Sequence, residues 1–234
     1  VDRSGKLIAE CGGMRSPCGI GSNLAGDMFF TDQQGNWIGT CTLHHLRKGA
    51  FYGHVDSLPS TKLAGSPIRP IASVPANVTF PKAAAKLKEL KLPAIWFPYK
   101  KMGQASTDIA CDRTKGKFGP FGGQLFVGDF TTSSIGRVFL EKDGGEYQGA
   151  CFPFRKGFAS AVLRMEFGRD GSMFVGLTNR GWSSVGNASF GLQRLVWTKR
   201  VPFEIQEMRA KSDGFELLFT KPAGKSAFTP AGYT

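Results

Sequence analysis

A seven-residue pattern occurs three times in this chain and restricts what it can fold into. Gly26-Asp27-Met28-Phe29-Phe30-Thr31-Asp32 returns as Gly123-Gln124-Leu125-Phe126-Val127-Gly128-Asp129, and again as Gly171-Ser172-Met173-Phe174-Val175-Gly176-Leu177. Each copy opens on a turn glycine and continues as a short apolar and aromatic run, the composition of a buried strand. Gly26 and Gly123 are 97 residues apart and Gly123 and Gly171 are 48 apart, so the first interval is about twice the second. A four-stranded propeller blade takes roughly 40–50 residues, which matches the shorter interval. On that reading a unit between the first two copies is degenerate, replaced or distorted by other structure. A sandwich with similar hairpins is the other architecture that fits.

The remaining sequence favours an all-β protein. The chain has 31 glycines and 20 phenylalanines, and its apolar runs are short and separated by Gly-rich turns. A hydrophobic content of 41% supports a packed core. Further strands are expected at 6–10, 37–46, 94–99, 107–111, 136–141, 147–154, 161–167 and 192–198. One helix is expected over Lys82–Leu92, where alanines favour it, Pro81 can open it and Pro93 stops it. The stretch 57–81 holds five prolines and little periodicity, and reads as an irregular insertion. After residue 200 the pattern changes to two alternating runs, 203–210 and 215–220, around Ser212-Asp213-Gly214. The expected organisation is a partial propeller of four-stranded blades over 1–200, with an insertion and short helix at about 57–93. Residues 201–234 would be its last strand or the first strands of a second β-domain. The opening Val1-Asp2-Arg3-Ser4-Gly5 reads as the middle of a turn, which suggests a fragment or processed chain.

Several chemistries are excluded or left open. No apolar run approaches the roughly 20 residues of a membrane-spanning helix. The five cysteines show no C-x-x-C spacing, and no G-x-S-x-G or P-loop is present. Cys11 and Cys18 flank a turn and can pair; buried free thiols are the alternative. The formal charge of +12 is spread along the chain. It can attract an anionic polysaccharide or an acidic partner, but no nucleic-acid module is recognisable and nucleic-acid binding is not expected.

The polar loop Asp32-Gln33-Gln34-Gly35-Asn36, between two aromatic-rich runs, is the best placed site. Asp32 and Gln34 are candidate ion or ligand contacts; the alternative is that they bond the turn's backbone. His44 and His45 would point to opposite faces of a strand, so only one can face a site. His45 and His54 are candidate functional histidines, with packing as the alternative. Arg15 and Arg164 can clamp an anion through two-pronged hydrogen bonds, or form salt bridges.

The segments T-D-Q-Q-G-N-W-I-G-T, L-H-H and R-K-G-A-F-Y-G-H within 31–54 resemble the glucose/sorbosone dehydrogenase propellers. They are closer still to the large secreted dehydrogenase-like proteins of planctomycete-type bacteria. Three later segments carry the same resemblance: I-W-F-P-Y-K-K-M-G-Q (95–104), F-G-P-F-G-G-Q-L-F-V-G-D (118–129) and 157–182, which ends in L-T-N-R-G-W. It covers about residues 1–200, and 203–222 resemble the start of the Ig-like domain that follows the propeller in those large proteins. The resemblance implies a six-bladed parent, missing blades supplied by other segments of the same precursor, and a periplasmic or secreted location. It also implies oxidation of a sugar with pyrroloquinoline quinone held through calcium. Carried over by position, Gln34, Gly35 and Asn36 with Asp32 would ligate calcium, with Asn36 where the relatives have proline. Arg15, Arg164 and Gln34 would hold the cofactor. The sequence departs from the relatives in three places. Trp37-Ile38-Gly39-Thr40 replaces an acidic run, Met14 stands where histidine is frequent, and F-T-T-S-S (130–134) lacks an expected lysine. The catalytic base of the relatives would lie upstream of Val1. A non-catalytic propeller that binds protein or carbohydrate in a larger assembly is the alternative.

Overall fold

The computed structural model describes residues 1–75 and 77–224. Its strands form antiparallel meanders. The first sheet contains β1 (Ile20–Ser22), β2 (Met28–Asp32), β3 (Thr42–His45) and β4 (Ile95–Trp96) in that order. The second contains β5 (Ser106–Cys111), β6 (Leu125–Asp129), β7 (Ser134–Asp143) and β8 (Glu146–Lys156). The third has three strands, β9 (Val162–Phe167), β10 (Met173–Thr178) and β11 (Phe190–Leu195). The last pair, β12 (Ile205–Lys211) and β13 (Gly214–Phe219), forms a separate two-stranded sheet.

The first strands of successive sheets pack on one another, β1 against β5 and β5 against β9. Side-chain hydroxyls bridge the neighbouring sheets. Thr31 Oγ1 donates to the Thr107 carbonyl at 2.7 Å, and Thr107 Oγ1 donates to the Val162 carbonyl at 2.8 Å. The Asp108 carboxylate accepts the Met165 N–H at 2.7 Å. Meander sheets packed face to face with their first strands together give a propeller-like all-β arrangement.

In the second sheet β6 is buried on both faces, which explains its continuous apolar run. Leu125 and Val127 of β6 join Phe29, Leu43 and Ile109 in a core shared with the first sheet. Phe126, between them, points the other way and joins Met165, Met173 and Val175 in a core shared with the third. The period-2 alternation of a strand thus serves two interfaces.

The three repeat copies are β2, β6 and β10 with the turn before each. Their opening glycines have φ of +88° at Gly26, +83° at Gly123 and +85° at Gly171, the left-handed region that favours glycine. Space differs between them. A Cβ on Gly26 meets nothing within 4 Å, whereas one on Gly171 would lie 2.4 Å from Lys117 Cβ. Gly26→Ala is expected to cost about 1–2 kcal/mol from the backbone alone. Gly171→Ala should lose roughly 1–3 kcal/mol more through overpacking. Urea unfolding of the two variants checks this, and equal losses would contradict it.

The doubled interval is not a degenerate blade. The bond from Thr31 to Thr107 makes the first and second sheets immediate neighbours. The extra residues lie between β3 and β4, inside the first sheet. They contain a 3-10 helix, Val55–Lys62, where an irregular stretch was expected, and one α-helix, α1 (Phe80–Lys86). Phe51, Ile68, Ile71, Phe80, Ala83 and Leu90 give this insertion its own core. The helix is shorter than the expected Lys82–Leu92 because tertiary pairing takes its second half. Phe51 N–H donates to the Glu89 carbonyl at 2.7 Å, and Lys91 N–H to the Phe51 carbonyl at 3.0 Å. The expected strand at 37–46 shrinks to β3, since Trp37 and Ile38 pack onto the insertion instead. No strand forms at 6–10. All five cysteines are free thiols. No described helix is long and apolar enough to cross a membrane.

Candidate functional site

The loops after β2, β6 and β10 lie at the same end of their sheets as the segments leading into β1 and β5. Two repeat aspartates fix these parts to each other. Asp32, at the end of β2, accepts the Arg15 N–H at 2.8 Å, the Ser16 N–H at 2.7 Å and the Gln33 N–H at 2.9 Å. Asp129, at the end of β6, accepts the Ala105 N–H at 2.9 Å and the Thr132 N–H at 2.8 Å. In each case the last residue of the second strand clamps the backbone entering the first strand. The third copy has Leu177 at this position, which pairs with Val162.

A cleft of about 350 Å³ opens between these loops. Its walls include Arg15, Cys18, Gln33, Gln34, Gln104, Thr107 and Thr131, with Tyr99 and Trp182 also lining it. Gln33 is anchored by a 2.6 Å bond from Nε2 to the Ser106 carbonyl. Its Oε1 and that of Gln34 face the Cys41 thiol at 3.5 and 3.2 Å. Burial pushes the Cys41 thiol up, which keeps it a protonated donor to these amides. The aliphatic stem of Arg15 lies over Gly35, whose Cβ would stand 3.8 Å from Arg15 Cδ.

The structure therefore brings Arg15, Asp32, Gln34 and Gly35 together. Asn36 and His54 share a smaller recess with Arg15 and Trp37. Arg164 stands one residue away: its Nη1 donates to the Leu163 carbonyl at 2.8 Å and lies 3.9 Å from Sγ of Cys18, which lines the main cleft. His45 is elsewhere. It packs against Phe29 and Tyr147 with Nε2 3.9 Å from Asp27, and burial together with the Arg47 charge lowers its pKa. His44 points to the opposite face as expected, against Phe30 and Tyr52.

Sequence reasoning missed Gln33, Gln104, Tyr99, Thr131 and Trp182 as wall residues. For Gln33, Thr131 and Trp182 the available signal was positional, because residues just after each repeat copy share one end of the fold.

The donor set can be compared with the groups that the family resemblance implies. Calcium takes about six to eight oxygen ligands. Both Asp32 oxygens already serve backbone donors, Gln34 Oε1 serves Cys41, and a guanidinium stem covers Gly35. Among the described residues no group of three or more His, Cys, Asp or Glu is gathered to hold a metal. With these side-chain oxygens committed elsewhere, a calcium ion would draw mainly on the backbone carbonyls of Gln34 and Gly35. Arg15 at the wall and Arg164 beside Cys18 do fit carboxylates of an anionic ligand.

No family model and no curated protein matches this chain. Among solved structures it is similar to a presumed oxidoreductase (glucose dehydrogenase) from Thermus thermophilus, with a TM-score of 0.51 and 18% identity. That match covers 79% of this chain and 45% of the other. The fold is of the sugar-dehydrogenase type. A second solved structure of this type is the PQQ-bound aldose sugar dehydrogenase of Streptomyces coelicolor, with a TM-score of 0.49 and 12% identity, covering 79% of this chain and 44% of that one. The chain spans less than half the length of either protein.

Proposed function

We propose that this sugar-dehydrogenase-type propeller binds a sugar or polysaccharide unit in the Arg15–Gln34 cleft. The observation that carries this reading is the cleft lining. Gln33, Gln34 and Gln104 line a space of about 350 Å³ together with Arg15, Tyr99 and Trp182. Side-chain amides offer paired donors and acceptors to sugar hydroxyls. Aromatic rings offer an apolar face with a polar tip. The volume falls in the usual range of small-molecule sites.

A second reading is supported by Arg15 and Arg164, two cations beside one cleft. They would hold the carboxylates of pyrroloquinoline quinone, which when bound accepts the electrons of an oxidised sugar. On this reading the protein is a quinone-dependent dehydrogenase. On either reading a periplasmic or secreted setting, kinship with the planctomycete-type proteins and association with other segments of a longer precursor accord with the sequence resemblance.

Calorimetric titration separates the two. Binding of an aldose or oligosaccharide without quinone or calcium, weakened about tenfold or more by Gln33→Ala with Gln34→Ala, is the expected result. Calcium-dependent binding of the quinone, lost in Arg15→Ala and accompanied by cofactor absorbance, would replace the first reading with the second. If neither titrant binds, the cleft has neither role.

A further inference from the structure

A larger cleft, about 520 Å³, opens at the opposite end of the same first strands. It lies where β5 and β9 end, past Cys111 and Phe167, whereas the Arg15 cleft lies where β1 and β5 begin. Four cations line it, Arg113, Lys115, Lys117 and Arg169, over a floor that includes Met165 and Phe167. Glu166 is the one carboxylate in its lining. The arginines at 47, 137, 194 and 209 lie within 4.0 Å of carboxylates; none of the four cleft cations has a carboxylate that close among the described residues.

Two of these cations are held in place. Arg113 Nη2 bonds the Ser22 carbonyl at 3.2 Å, the Ser22 hydroxyl at 3.0 Å and the Asn23 carbonyl, tying it to the end of β1. Lys117 packs its Cβ against Gly171, and its Nζ lies 3.5 Å from the Arg169 carbonyl. The loop carrying the lysines is thereby fixed against the third repeat turn. Four cations gathered around a single carboxylate raise each other's energy, and an anionic ligand relieves that.

We propose that this cleft binds a small molecule bearing at least two oxyanion groups, phosphate or sulfate. Its shape decides the class. It is a recess of small-molecule size, whereas a specific protein partner needs a broad face of roughly 800 Å² per side. Its one aromatic ring, Phe167, is half-buried against Phe118 and Phe126 and does not form the open platform on which single-stranded bases stack. The strand floor and cationic rim suit a compact polyanion held by charge-assisted hydrogen bonds.

The test is calorimetric titration of the full chain at fixed ionic strength with inorganic tripolyphosphate and, separately, with a disulfated disaccharide. One probe should bind with a stoichiometry of one, which also tells phosphate from sulfate. Combining Lys115→Ala, Lys117→Ala and Arg169→Ala should weaken that binding by about tenfold or more. Arg113 is left intact because it also braces β1. Two controls should change binding by less than about twofold: Arg15→Ala, and the combination Lys82→Ala, Lys86→Ala and Lys88→Ala, which removes the same charge from the exposed insertion. Equal weakening by both triple variants, several probes bound per chain, or no binding would overturn the proposal. None of these outcomes bears on the Arg15 cleft.

Discussion

Arg137→Ala is expected to destabilise the protein by about 3–5 kcal/mol, because it empties a fully buried charge site that holds two sheets together. Arg137 sits in β7 with no exposed surface. Its Nη1 donates to Gln124 Oε1 at 2.6 Å and to the Gln206 carbonyl at 3.0 Å, and Nη2 donates to the Ile205 carbonyl at 2.7 Å. The guanidinium carbon lies 3.9 Å from the Phe121 ring centre and 4.4 Å from that of Phe152. Burial lowers its pKa to about 10, with Glu204 at 3.7 Å working in the opposite direction, so it stays charged at neutral pH. The substitution would leave the buried Gln124 oxygen and the Ile205 carbonyl short of a donor, while the Gln206 carbonyl keeps Gln124 Nε2 at 2.7 Å, and would open a cavity between two rings. In a chain of this size the loss corresponds to roughly 6–20 °C in Tm. The damage should be local first. Hydrogen exchange should show β12 and β13 losing protection before the first sheet does. Unchanged protection at 205–219 with a Tm near that of the parent protein would show that the hairpin is held by other means.

The repeat was legible because its causes are local. A positive-φ glycine, an alternating run and a terminal aspartate are all visible in seven residues, and the two aspartates do the same work in β2 and β6. The neighbours of the repeats were legible in kind, and β7, β8 and β9 fall close to the expected ranges. Reasoning from spacing failed where one interval was read as a missing unit. Periodicity does not say whether extra residues stand between sheets or, as in 46–94, between two strands of one sheet. The helix and the strand at 37–46 were over-extended because distant partners won. The Phe51 backbone captures Glu89 and Lys91, and the insertion core captures Trp37 and Ile38.

The candidate site was legible in part. Arg15 and Gln34 line one cleft, and the Arg15 stem lies over Gly35. Asp32 proves to be mainly a brace for the backbone at Arg15 and Ser16, a role visible only once the lead-in to β1 is placed beside the end of β2. Tyr99 and Gln104 come from the loop between β4 and β5, which follows no repeat copy, and no local pattern gathers them with Trp182. Arg137 was not singled out at all. An arginine inside an apolar strand is a signal of a buried ion site, but its partners lie 13 to 69 residues away.

The second large expected effect is a loss of stability in mild acid that originates at His44. This residue is fully buried, stacked on Phe30 with ring centres 5.1 Å apart, and its Nε2 lies 2.9 Å from the Thr42 hydroxyl. Its Nδ1 has no hydrogen-bond partner. Burial lowers its pKa from 6.5 to about 3. Between those values the unfolded chain binds a proton that the folded chain refuses, so acid favours unfolding. The stabilisation is fully present above about pH 6.5 and is lost as pH falls toward 3, by up to about 1.4 kcal/mol per pH unit. The full span amounts to roughly 4–5 kcal/mol, a large share of an ordinary folding free energy. His44→Phe separates this effect from packing. It keeps an aromatic ring against Phe30 and Tyr52 but gives up the bond to Thr42, at a cost of about 1 kcal/mol at pH 8. In acid the variant has no imidazole to protonate, so its stability should fall less steeply, and the two curves should cross at about pH 6. Urea unfolding of both proteins from pH 8 to pH 4 measures this directly. Parallel curves would mean that His44 takes its proton in the folded state and is not the origin of the acid sensitivity.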